Sequence, residues 1–131
     1  VEFSYVGKGY YLLDSTFIIT GRNLKYIIAI LNSKVSISWM KTSVATLGEG
    51  MYGAKIYVER IPIPPITSQN KLLAEKIESL VNEILSLTQS EDYLSNTQKQ
   101  SKVKDLEKQI DKLIYKLYDL TDEEIKIVEA N

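Results

Sequence analysis

The chain of 131 residues contains neither cysteine nor histidine. Without cysteine there can be no disulfide, no thiolate nucleophile and no Cys-ligated zinc. Without histidine the commonest general base and the commonest metal ligand are missing together. An all-carboxylate magnesium or calcium site would need an Asp-rich loop of defined spacing, and no stretch has one. No run approaches the roughly 18 unbroken apolar residues of a membrane span. Val1–Gly9 lacks the charged-then-apolar order of a signal peptide, and the chain opens without Met, as expected of a piece of a longer polypeptide. No P-loop, Rossmann glycine motif or nucleophile–base pair occurs, and Glu59 with Lys55 does not make a nuclease site. No catalytic residue, metal ligand or cofactor is therefore assigned to this stretch.

What is present is the composition of a folded, soluble chain, 44% hydrophobic and 25% charged. The reducing cytoplasm is the default setting for a chain without cysteine. Net charge is −1, but it divides unevenly. Residues 1–60 carry seven Lys/Arg against four acids, or +3, and residues 61–131 carry nine Lys against thirteen acids, or −4. A polyanion-contacting face joined to a solvated spacer has this asymmetry, and so does ordinary scatter.

The first half reads as β-rich. Val1, Phe3 and Tyr5 alternate, Gly7 and Gly9 suit a hairpin turn, and Tyr10–Leu13 and Thr16–Thr20 read as further short strands around the turn pair Asp14-Ser15. Asn23 can cap a helix in which Leu24, Ile27, Ile28 and Leu31 share a face. Ser33–Leu47 fits both periods: Val35, Ile37 and Trp39 alternate, while Ile37, Met40 and Val44 make a helical stripe, and we read a helix capped by Ser33. Gly48–Lys55 packs three glycines into six residues, too many for a packed element. Ile56–Glu59 is strand-like, and Ile61-Pro62-Ile63-Pro64-Pro65-Ile66 must be an extended connector.

Past the connector the period changes. Leu73, Ile77, Leu80, Ile84 and Leu87 recur at 4-3-4-3, and Val103, Leu106, Ile110, Leu113, Leu117 and Leu120 at 3-4-3-4-3. Both are heptad seams, and polar Thr88–Gln100 between them predicts an antiparallel hairpin. Thr121 and Glu124 form a capping-box signature for a last short helix. Tyr26, Tyr115 and Tyr118 sit beside apolar neighbours and are read as core, as is Trp39.

Candidate binding residues cluster in the first half. Lys41, Thr42, Gly50, Tyr52, Gly53, Lys55 and Arg60 combine cations, hydroxyls, an aromatic and open backbone, which suits phosphate contact or, as plainly, a surface turn. Arg22 lies at a predicted helix N-terminus, where an anion would relieve its opposition to the helix dipole. Lys8 tops the predicted hairpin.

Four segments carry a family resemblance: Tyr11–Gly21 (YLLDSTFIITG), Leu24–Ser33 (LKYIIAILNS), Ile61–Gln69 (IPIPPITSQ) and Leu113–Glu129 (LIYKLYDLTDEEIKIVE). Together they resemble the TaqI-like C-terminal target-recognition domain of type IIG restriction-modification enzymes and adenine-specific DNA methyltransferases, and its relatives among type I specificity subunits. The resemblance implies an α+β fold, with residues 1–66 the end of a β-rich recognition domain and residues 67–131 a helical hairpin spacer. It implies sequence-specific binding of double-stranded DNA on behalf of upstream methyltransferase or nuclease domains, with S-adenosylmethionine and Mg2+ serving the parent enzyme of a bacterium or archaeon. The alternative is a helical protein–protein interaction or dimerisation module without DNA contact.

Overall fold

The computed structural model describes residues 3–11, 16–47 and 54–131, with backbone alone for 44–47 and 54–55. Within these residues lie six α-helices and no strand: α1 (Leu24–Leu31), α2 (Lys34–Leu47), α3 (Ala54–Arg60), α4 (Lys71–Thr88), α5 (Thr97–Leu117) and α6 (Asp122–Ala130). The fold is all-α, which overturns the expected α+β class and its β-rich subdomain. Phe3–Tyr5 and Thr16–Thr20 form no strand, and Ile56–Glu59 lies inside α3. Strand propensity expresses itself only where a neighbouring strand and a buried face are available. Among the described residues neither exists, whereas Val58 and Ile61 find burial by packing on α1 and α2.

The ambiguous stretch after Leu31 is helical, and serines explain how it starts. The Ser33 and Ser36 hydroxyls both donate to the Ile30 carbonyl at 2.6 Å, and the Ser36 amide donates to Ser33 Oγ at 3.3 Å. Ser33 thus caps α2 while tying it to the end of α1. Asn23 does not cap α1 with its side chain; it occupies the left-handed region, φ 56°, which Asn tolerates better than most residues.

Helix α4 is central, packed against α1 on one side and α5 on the other. The main core joins Tyr26, Ala29 and Ile30 of α1, Ala74, Ile77 and Val81 of α4, and Ile110 and Ile114 of α5. Leu31, Met40 and Ile61 form a second cluster, joined by Phe3, Trp39 and Val58. The proline connector crosses this surface in extended form. Its carbonyls are held by two phenols: Tyr26 donates to Pro64 O at 2.8 Å and Tyr118 to Pro62 O at 2.6 Å. Asn70 then closes the turn into α4, accepting from the Thr67 amide at 2.7 Å and donating to Pro65 O at 3.0 Å.

Between α4 and α5 the chain reverses through a 3-10 turn, Tyr93–Ser95. Gln100 Nε2 donates to the carbonyls of Tyr93 and Leu94 at 3.0 and 2.9 Å, and Lys99 bonds Ser90 and Asp92. Asn96 caps α5 through the Lys99 amide. At the other end, Leu120 N reaches Tyr115 O at 3.0 Å and Asp119 N reaches Lys116 O at 3.1 Å. This is a Schellman ending with Asp119, φ 53°, where glycine is usual. The Thr121–Glu124 capping box is formed, and α6 returns to α2, where Asn131 Nδ2 donates to Ser38 Oγ at 2.9 Å. Among the described residues no helix is long and apolar enough to cross a membrane.

Candidate interaction surface

The N-terminal arm is where exposed apolar chemistry concentrates. Its first residues are pinned to the bundle. Asn32, the residue that ends α1, turns its amide onto Phe3: the Phe3 amide donates to Asn32 Oδ1 at 3.1 Å, and Asn32 Nδ2 donates to Phe3 O at 2.8 Å. These are the two bonds that a neighbouring strand would make, supplied here by one carboxamide side chain. The Phe3 ring joins the second apolar cluster. Tyr5 lies with its ring centroid 5.7 Å from the Lys25 ammonium, close enough for cation–π attraction, and the same ammonium is held by Asn82 Oδ1 of α4.

Phe3, Ser4 and Tyr5 themselves line one side of a groove of about 530 Å³ whose other walls come from α1, α4 and α5, among them Ile28, Val81, Ile84, Leu85 and Ile110. Asp111 stands on its α5 rim and accepts the Lys34 amide at 3.0 Å, so it caps α2 from another helix. Burial pushes the Asp111 carboxyl up, against the pull of that amide and of the Lys34 charge.

Beyond Tyr5 the arm leaves the bundle. Tyr10, Tyr11, Phe17 and Ile18 are 68%, 102%, 57% and 66% exposed. Among the described residues, 6–11 and 16–22 make no hydrogen bond. Gly9 has φ +91°, the conformation a turn needs, but no paired strands flank it.

The residues expected to contact DNA lie on the arm, α2 and α3 or outside the described residues. Lys8 and Arg22 are exposed on the arm, and Arg60 is exposed at the end of α3. Lys41 of α2 is held by the carbonyl of Asn131, and the Thr42 hydroxyl donates to Ser38 O of its own helix at 3.0 Å. Lys55 lies in α3, described by backbone alone, and Gly50, Tyr52 and Gly53 lie outside the described residues. No group of three or more acidic side chains able to hold a metal ion occurs among the described residues.

Comparison with protein-family models, curated proteins and solved structures finds no match. The resemblance to a TaqI-like target-recognition domain is therefore corrected. Its expected β-rich part is an unpaired arm and a set of helices, and no family model supports the segment likeness. With it fall the restriction-modification assignment and the DNA-reading role drawn from it.

Sequence reasoning missed Asn32, which it left without a role inside the Leu24–Ser33 segment. An Asn after the last apolar turn is a helix-ending signal, and its amide does donate to Ile28 O at 3.0 Å. That signal says nothing of a side-chain partner twenty-nine residues away.

Proposed function

We propose that the chain is a helical protein–protein interaction module that docks through its N-terminal arm and the groove beneath it. The observation that carries this is the exposure of Tyr10, Tyr11, Phe17 and Ile18 on the described parts of the arm. Apolar side chains exposed singly are ordinary on a protein surface, but a segment that concentrates aromatic and β-branched residues in water marks a contact site. The arm also offers unpaired backbone donors and acceptors, which favour partners that add as strands. A reducing, cytoplasmic setting suits a chain without cysteine.

Photocrosslinking tests the reading directly. A benzophenone amino acid at Tyr11 or Phe17 should give adducts with protein in the cells that make the chain. The same probe at Lys108, on the exposed side of α5, should not. Adducts equally abundant at all three positions, or absent from the two arm positions, would sink it.

A further inference from the structure

The docking reading leaves open what the partner presents, and the walls of the groove narrow it. Besides the arm and the apolar residues, the groove is lined by two carboxylates of α5, Glu107 and Asp111, and among the described residues by no lysine or arginine. The two stand one turn apart on the same side of the helix, where like charges repel. Asp111 uses Oδ1 to accept the Lys34 amide, and Glu107 takes part in no hydrogen bond among the described residues. Neither forms an ion pair there: the charges of Lys34 and Lys104 act on them from beyond contact distance. Lys25 is already taken up by Asn82 and the Tyr5 ring. Burial pushes both carboxyls up, and the Asp111 charge adds to the effect on Glu107. Such shifts mark negative charge held partly out of water with too little positive charge beside it.

Resting on that reading, we propose that the groove takes a basic side chain of the partner protein, a lysine or arginine flanked by apolar residues. The aliphatic stem of that side chain lies along Ile28, Val81, Ile84 and Ile110, and its charged head reaches the α5 rim where Glu107 and Asp111 stand. At about 530 Å³ the groove is as large as pockets that hold small ligands, so a side chain and its immediate neighbours fit. Charge complementarity selects this occupant. A phosphate or carboxylate would meet two like charges and no cation. A wholly apolar segment would dry both carboxylates further and leave them unpaired. A cation instead offsets their mutual repulsion and supplies charge-assisted hydrogen bonds to oxygens that the chain itself leaves open.

The test titrates the full chain with three capped tripeptides while NMR follows its isoleucine, leucine and valine methyl groups. The probes are acetyl-Leu-Lys-Leu-amide and its counterparts with norleucine or glutamate in place of lysine. The lysine peptide should shift the methyls of Ile28, Val81, Ile84 and Ile110 saturably and bind at least about fivefold tighter than the norleucine peptide, with the glutamate peptide weakest. That preference should shrink as salt is raised from about 20 mM to about 500 mM. Glu107→Gln should cut the preference at least about threefold with melting unchanged, whereas Glu75→Gln on α4, outside the groove, should leave it intact. A norleucine peptide that binds as tightly as the lysine peptide overturns the proposal. So does a lysine peptide that moves none of those methyls, or a Glu107→Gln chain with the full preference. Arm photoadducts without lysine selectivity would leave the docking reading standing and remove this site. Selectivity without arm adducts would keep the site and remove the arm from docking.

Discussion

The two phenol contacts to the proline connector allow a graded test of how it is held. Tyr26 is 2% exposed, and its hydroxyl is the donor that satisfies Pro64 O at 2.8 Å. Tyr26→Phe keeps the ring in the core, so no large cavity forms, and the loss is confined to one hydrogen bond and one stranded carbonyl. Prolines at 62, 64 and 65 offer no amide that could turn to replace it. The expected cost is about 1–2 kcal/mol. Tyr118 makes the matching bond to Pro62 O, but Pro62 is exposed and water can take the vacated place. Tyr118→Phe should then cost only about 0.5 kcal/mol, at the low end for a hydrogen bond. Tyr26→Ala removes the ring too and should cost about 3–5 kcal/mol. Urea unfolding measures all three, with far-UV circular dichroism for the helices and the single tryptophan, Trp39, for the second cluster. The two probes should give coincident curves if both clusters melt together. A Tyr26→Phe variant as stable as wild type, or less affected than Tyr118→Phe, would refute the assignment of the connector's anchoring to the buried phenol.

Other perturbations follow from the same geometry. Asp119→Gly relieves a left-handed residue at the Schellman ending and should raise stability by about 0.5–1 kcal/mol; a lower melting temperature would show that the Asp119 side chain stabilises that turn. Burial, with the neighbouring Tyr26 phenol second, pushes the Tyr118 phenol up to about 12, and burial with the charges of Asp111 and Glu129 does the same for Tyr115. Unfolded, each loses its proton near 10.0, so their contribution is whole below pH 10 and is lost as pH rises toward 12. Urea midpoints should therefore fall from about pH 9 to about pH 11, and fall less in Tyr118→Phe; an equal fall would dismiss the phenol as a cause. Ile77→Ala, emptying a fully buried site between α1 and α5, should cost about 2–5 kcal/mol, whereas Leu72→Ala on the exposed side of α4 should stay within about 0.5 kcal/mol. Similar losses at the two sites would mean that α4 does not have one buried and one open side.

Periodicity was most informative where the chain supplies its own packing partner. Ile77, Val103, Leu106 and Ile110 belong to the heptad seams and are buried, because α4 and α5 are neighbours in both sequence and space. The seams also mislead in detail. Ala74 and Val81 are buried outside the seam, since α4 faces α1 as well as α5 and needs an apolar band wider than two helices require. The arm was misread for the opposite reason. Alternation in Val1, Phe3 and Tyr5 and the β-branched run Thr16–Thr20 record a capacity to pair, and whether a strand forms depends on a partner that local sequence cannot supply. Lys41 shows the same limit at the expected DNA face. Nothing near it in sequence announces that it ends at the carbonyl of Asn131, ninety residues on.

The central place of α4 has a consequence for the order in which the chain folds. Its contact with α5 closes a short loop, whereas its contact with α1 must close one that includes α2, α3 and the connector. Loop-closure entropy rises with the length enclosed, and local contacts form faster than distant ones. The α4–α5 pair is thus the expected nucleus, with α1 arriving late and Tyr26 and Ile30 entering a stripe already half built. Run backwards, the lowest-energy partial opening is the departure of α1, which takes Asn32 and its hold on Phe3 with it. In native-state hydrogen exchange, amides of α1 should then exchange through a smaller opening than those of α5, and the pinned end of the arm should be released in the same event.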